Sequence, residues 1–269
     1  MTKTDVQMLK NYIGGQWIEA ETSQTEEVYN PATGEIIAEV PLSTKKQMSN
    51  MRYRQHKKHL PLGRKKPVPR RARILFKYQQ LLVDKWDELA ELVTIENGKS
   101  ITEAKGEVQR GIECVEFAAG APTLMMGKQL PDIASGLESG MYRYPIGVIG
   151  GITPFNFPMM VPCWMFPLAI ACGNTFVLKP SERTPILAAR LAELFEEAGI
   201  PKGVLNIVNG AHDVVNGLLE HQKRSKPFHL SALSQLQNTS IKKGTEHGKR
   251  VQALAGAKKN HPLSSKMQI

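Results

Sequence analysis

The chain has few thiols, few aromatic rings and one long stretch without formal charge. Three cysteines, Cys114, Cys163 and Cys172, do not make a disulfide framework and have no metal-ligand spacing. Their apolar surroundings predict buried free thiols in a reducing compartment, and no metal is expected. No apolar signal region with a small-residue cleavage site is present, so the expected location is cytoplasmic. No internal repeat is visible. Between Arg143 and Lys179 there is no Asp, Glu, Lys, Arg or His. Such a run is either a membrane span or deep core. Pro145, Pro154, Pro158, Pro162 and Pro167 argue against the membrane, because each removes a backbone donor that lipid cannot replace.

The uncharged run then divides into three pieces. Gly147 to Ile152 is short and apolar, as a strand buried on both faces of a parallel sheet would be. Phe157 to Ala171 is long enough for a helix, with Met160, Trp164, Pro167 and Leu168 on one face and Gly173 as its stop. Thr175 to Leu178 is a second buried strand. Ligands of open α/β sheets sit outside the carboxyl ends of the strands, which here are Thr153 to Asn156 and Lys179 to Arg183.

The net charge of +10 over 269 residues is unevenly placed. Lys45 to Lys77 holds thirteen Lys or Arg and no acid, and His221 to Ile269 holds ten against the single acid Glu246. Lys45 to Lys66 lacks apolar periodicity and reads as loop or disorder. Tyr53 is its one aromatic residue, too little interleaving for single-strand binding, so no nucleic-acid partner is expected.

Elsewhere the pattern is regular. Asn11 to Val40 reads as two surface hairpins without chemistry, turned at Gly14-Gly15 and at Asn30 to Gly34. Ile74 to Val93 carries one helical stripe that Asn97-Gly98 closes, and a second helix runs from Ser100 to Ala118 with Arg110 off its apolar face. Gly120 to Arg143 is loop-rich, with a hairpin turn expected near Ser139-Gly140. Thr184 is expected to cap a helix to Gly199, with Pro185 in its first position. Val204 to Val208 is a third buried strand, and Gly210 to Glu220 forms another helix, capped at or near Asp213. From His221 no buried strand is visible. The fold class is therefore α/β: an incomplete, Rossmann-like, doubly wound parallel sheet preceded by N-terminal hairpins and helices.

Several segments resemble the aldehyde dehydrogenase superfamily, in its CoA-acylating, methylmalonate-semialdehyde branch. They are NPATGEIIAEVP (Asn30 to Pro41), PRRARILF (Pro69 to Phe76), ENGK (Glu96 to Lys99), GIECVEFAAGAP (Gly111 to Pro122), YRYPIGVIGGITPFNFPMMVPCWMFPLAIACGNTFVLKPSERTP (Tyr142 to Pro185) and GAHDVVNG (Gly210 to Gly217). The resemblance implies that Asn156 stabilises the oxyanion formed when a cysteine thiolate attacks an aldehyde. It implies that Lys179 and Glu182 hold the adenosine ribose of NAD, with Thr153, Phe155, Arg183 and Ala255 also facing the cofactor. Arg110 would hold the carboxylate of a semialdehyde substrate, a task suited to a guanidinium fork. Leu254 stands where hydrolytic relatives keep a general-base Glu, which suits acyl transfer to CoA. A homo-oligomer, a tetramer in the family, and no membrane are implied.

The chain departs from the family pattern in three ways. The catalytic cysteine is expected to lie beyond Ile269, so residues 1–269 read as the N-terminal NAD-binding domain without the catalytic domain. Cys163 belongs to the family's non-catalytic pattern. Pro227 to Gln237 replaces the strand and glycine turn that bring a helix N-terminus to the pyrophosphate, so weakened cofactor binding is expected. Segments 45–66 and 221–241 lose the pattern between matching flanks, as a shifted reading frame would produce. The expected activity is NAD-dependent oxidation of malonate or methylmalonate semialdehyde to an acyl-CoA, impaired in this chain. The alternative is an inactive nucleotide-binding or subunit-interaction fragment.

Overall fold

The computed structural model describes residues 6–48, 66–220, 229–233 and 237–254, with main chain only for 229–233, 237–240 and 253–254. Five short strands come first: β1 (Gln7–Met8), β2 (Asn11–Tyr12), β3 (Trp17–Ile18), β4 (Thr25–Tyr29) and β5 (Ile36–Pro41). β1, β5 and β4 form a small separate sheet. The expected surface hairpin β2–β3 is instead an extension of the main sheet, because Tyr12 pairs with Ile207. Residues 45–48, expected as loop, make a helical turn that buries Met48 against Val214 and Leu218. The rest of that basic segment, 49–65, lies outside the described residues.

Helices α1 (Val68–Asp84), α2 (Trp86–Asn97) and α3 (Ile101–Ala119) follow. The single helix expected across Ile74 to Asn97 breaks at Lys85, whose φ of −105° and ψ of 18° end α1, while Asp87 and Glu88 give α2 a favourable first turn. Gly98 closes α2 at φ 80°, and Ser100 with Glu103 forms a capping box on α3. A short α4 (Ala121–Leu124) leads into the hairpin of β6 (Lys128–Ala134) and β7 (Leu137–Met141). Its turn uses Gly136, at φ 74°, and not Ser139-Gly140, which pair with Leu130 and Gln129 inside the ladder.

The remainder alternates β8 (Val148–Ile152), α5 (Met160–Ala171), β9 (Thr175–Lys179), α6 (Ile186–Glu197), β10 (Leu205–Ile207), α7 (His212–Glu220), β11 (His229–Leu233), α8 (Gln237–Glu246) and β12 (Arg250–Leu254). The main sheet has the order β12-β11-β8-β9-β10-β2-β3, parallel from β12 to β10. The doubly wound expectation holds, and β11 corrects the expectation that Pro227 to Gln237 replaces a strand, in a stretch where the sequence shows none of the buried type. Its sequence, HLSAL, lacks the apolar run of a buried strand; partners on both edges specify it.

Alternate residues of β9 feed two cores. Phe176 and Leu178 pack with α1, α3, α5 and α6, while Val177 packs with α7 on the opposite face. Within α5 nearly every position is buried, yet Trp164, expected inside, is 41% exposed. Pro162 and Pro167 are tolerated here, at the first turn and inside the helix respectively. Among the described residues no helix is long and apolar enough to cross a membrane.

Candidate active site

Parallel register sets the ends of β8 and β9 side by side. Ile152 pairs with Lys179, and the Thr153 N–H donates to the Lys179 carbonyl at 3.1 Å. The two polar loops therefore start as immediate neighbours.

Lys179 is buried, and its Nζ donates to Glu182 Oε2 at 2.6 Å. Burial pushes the Glu182 carboxyl up, but the charge and hydrogen bond of Lys179 outweigh it and hold the group below the ordinary carboxylate range. An anion is thus fixed at the carboxyl end of β9. The Arg183 guanidinium lies 5.2 Å from the Phe155 ring centre, a cation–π contact between the two loops.

Asn156 is exposed, and its side-chain amide makes no hydrogen bond to the described residues. Its backbone is held from several sides. Asn97 Nδ2 donates to the Phe155 carbonyl at 2.8 Å, and Lys99 Nζ donates to the Asn156 carbonyl at 2.8 Å. Lys99 also pairs with the buried Glu107 and lies 4.0 Å from the Phe157 ring centre. Glu107 Oε1 accepts from the Met159 and Met160 amides at 2.8 and 3.2 Å, at the start of α5.

Glu96 acts on the other loop. Its carboxylate accepts from the Ile186 and Leu187 amides, satisfying donors at the start of α6. This corrects the expected cap. Pro185 precedes the helix, and the Thr184 hydroxyl is buried with no partner among the described residues. Each residue of Glu96 to Lys99 thus has an assignable task, which the sequence reading missed. An acid at position 107, next to Val108 on the apolar face of α3, was the available signal.

Arg110 lies one turn beyond Glu107 and lines an open groove of about 490 Å³ with Glu113, Cys114, Phe117, Met160, Trp164 and Leu168. None of the cofactor-loop residues lines that groove. Met160 joins the two regions, since its amide is held by Glu107 and its side chain forms the groove wall.

Burial raises all three thiols, so none is poised as a thiolate. Cys163 is fully buried and its thiol is pushed well above the ordinary value by burial. Cys114 and Cys172, expected to be buried, are half-exposed; burial still raises both, with Arg71 and Arg143 opposing it at Cys172. Ala255 and residues 234–236 lie outside the described residues.

The aldehyde dehydrogenase family model matches residues 17–266. Over 98% of its length the chain is 84% identical to malonate-semialdehyde dehydrogenase of Bacillus pumilus (strain SAFR-032), of which it covers 54%. Over the same share it is 72% identical to malonate-semialdehyde dehydrogenase 2 of Bacillus anthracis, of which it covers 53%. The chain therefore spans about half the length of the curated relatives it matches. It superposes with a TM-score of 0.89 and 38% identity on a Sinorhizobium meliloti 1021 protein described as a methylmalonate-semialdehyde dehydrogenase and solved with NAD, covering 95% of this chain and 52% of that one. The corresponding enzyme of Oceanimonas doudoroffii gives 0.87 at 42% identity, over 94% of this chain and 51% of its own.

Proposed function

Because this chain belongs to the aldehyde dehydrogenase family, we propose that it binds NAD at the carboxyl ends of β8 and β9 and serves the CoA-acylating oxidation of malonate or methylmalonate semialdehyde. The observation that carries this reading is the Thr153 to Lys179 hydrogen bond at the end of the β8–β9 ladder, where the Lys179–Glu182 pair stands beside the loop presenting the Asn156 amide.

The residues fit the cofactor. A carboxylate kept ionised by a buried ammonium accepts from the two hydroxyls of an adenosine ribose and repels a 2′-phosphate. Bound there, NAD would supply the hydride acceptor for the oxidation. The exposed Asn156 amide donates to the oxygen that becomes anionic when a thiolate adds to the aldehyde, an interaction typically worth about 3 kcal/mol of barrier. Arg110, in a groove whose other lining residues are apolar apart from Glu113, suits the distal carboxylate of the semialdehyde. CoA then takes the acyl group, and carbon dioxide leaves in the malonate and methylmalonate cases. Thr153, Phe155, Arg183 and Ala255 complete the proposed cofactor contacts.

We read the β6–β7 hairpin as the face met by a second copy in a homo-oligomer. It stands apart from the main sheet and exposes Leu130, Ile133, Leu137 and Met141. Residues 1–269 form one NAD-binding domain in this reading, with 45–66 and 221–241 as divergent segments. A second reading, a nucleotide-binding or subunit-interaction fragment without turnover, is favoured by the three thiols, none of which is poised as a thiolate.

Isothermal titration of the chain with NAD and with NADP tests the proposal, with circular dichroism to establish folding. Saturable NAD binding and weaker NADP binding are expected. A folded chain that binds neither overturns it.

A further inference from the structure

Resting on the reading of Asn156 as the oxyanion donor, we infer that Lys99 is the positioning residue that sets its amide. An ammonium has three N–H donors and no acceptor. At Lys99 three partners converge on Nζ: the Glu107 carboxylate, the Asn156 carbonyl at 2.8 Å and the face of the Phe157 ring at 4.0 Å. Its side chain is only 19% exposed and that of Glu107 only 1%, so the ion pair is screened little by water.

The geometry acts on the main chain around Asn156 and not on the amide itself. Lys99 fixes the carbonyl of residue 156, Asn97 fixes that of residue 155, and Glu107, held by Lys99, fixes the N–H groups of 159 and 160. Pinning the loop at the carbonyls of 155 and 156 and at the N–H groups of 159 and 160 fixes where the Cα–Cβ bond of Asn156 points, and so the region its amide can reach. The amide spends none of its own donors on the described residues, and they stay available to a ligand. Lys99 also follows the Gly98 stop of α2, whose left-handed φ of 80° and N–H bond to the Thr94 carbonyl set the direction in which the chain leaves the helix.

The position of Lys99 relative to the two nucleotide loops decides the test. It touches the Asn156 loop, and neither Lys179 nor Glu182 is among its contacts. Loss of Lys99 should therefore leave the adenosine end of a dinucleotide alone and disturb the end nearer Asn156. In Lys99→Met, AMP affinity should stay within about twofold of the wild-type chain. The ratio of NAD to AMP affinity should fall about tenfold, the loss expected for a charge-assisted hydrogen bond of 1.5 kcal/mol or so. A merely structural role would weaken both nucleotides together. Hydrogen exchange should accelerate at the Met159 and Met160 amides and not at those of Thr175 to Lys179.

If Lys99→Met does not fold, Lys99→Arg replaces it. That variant keeps a cation opposite Glu107, but its planar fork cannot match three partners arranged for a compact ammonium, so a smaller fall in the same ratio is expected. An unchanged ratio in a folded variant overturns the inference. If the wild-type chain binds neither nucleotide, the proposed function falls, and exchange then decides the role of Lys99: acceleration confined to 155–160 supports it, and no change overturns it.

Discussion

Glu96, in the last turn of α2, accepts the backbone amides of Ile186 and Leu187, so an acid ninety residues earlier in the chain caps the helix that follows the Lys179–Glu182 loop. Burial pushes its carboxyl up to about 8, against the two amides that favour the ionised form. The sign follows from linkage. The folded chain holds this proton where the unfolded chain has released it, so its stabilising contribution is complete below the ordinary carboxylate range and declines as pH rises through about 8. Urea midpoints measured from pH 5 to 9 should fall with pH. Glu96→Gln should flatten that slope, and Glu96→Ala, which orphans two amides, should cost about 2–4 kcal/mol.

Glu182 supplies a prediction on cofactor choice. Its negative charge, secured by Lys179, is what a 2′-phosphate would meet. Glu182→Gln keeps the shape and removes the charge. The ratio of NADP to NAD affinity should rise about tenfold, a typical size for removal of one charged contact. Titration calorimetry of the folded variant checks it, and an unchanged ratio removes Glu182 from the discrimination.

The strand, helix, strand plan from Val148 to Ile207 was legible because buried parallel strands are short apolar runs bounded by turn residues, and both site loops followed from their carboxyl ends. What escaped was fixed by partners distant in sequence. β11 has no strand pattern of its own and is specified by β8 and β12. The break at Lys85 leaves the apolar stripe intact, and periodicity therefore ran through it. The Thr184 cap failed because Glu96 reaches the same amides first. Local rules cannot see an acceptor from another helix. The Trp164 exposure follows the same logic: a helix apolar on every side does not announce which side lines a groove.

The three thiols yield a reactivity prediction. Burial raises each of them, Cys163 most completely, and at Cys172 it outweighs the opposing charges of Arg71 and Arg143. A chromogenic disulfide at pH 7 should find no fast thiol in the folded chain and all three after denaturation. Mixed with malonate semialdehyde, NAD and CoA, the chain should form no NADH. A burst of thiol reaction, or NADH production, would show that one of these cysteines is activated after all.

Gly151 makes the last prediction, on the close packing that holds β8 against the α5 side of the sheet. A Cβ built there would lie 2.5 Å from Phe176 Cζ and 3.1 Å from Met165 Sδ, inside van der Waals contact with a fully buried ring. Gly151→Ala should therefore destabilise the chain by about 1–3 kcal/mol through overpacking. Phe176→Leu removes the ring atoms that clash, at its own cavity cost. If the ring is the obstacle, the double variant should be more stable than the sum of the two single losses implies, by about 1 kcal/mol in a denaturant cycle. Strict additivity would mean that the strand relaxes away from the ring, and then the ends of β8 and β9, with Thr153 and Lys179, should separate too and NAD affinity should fall in step.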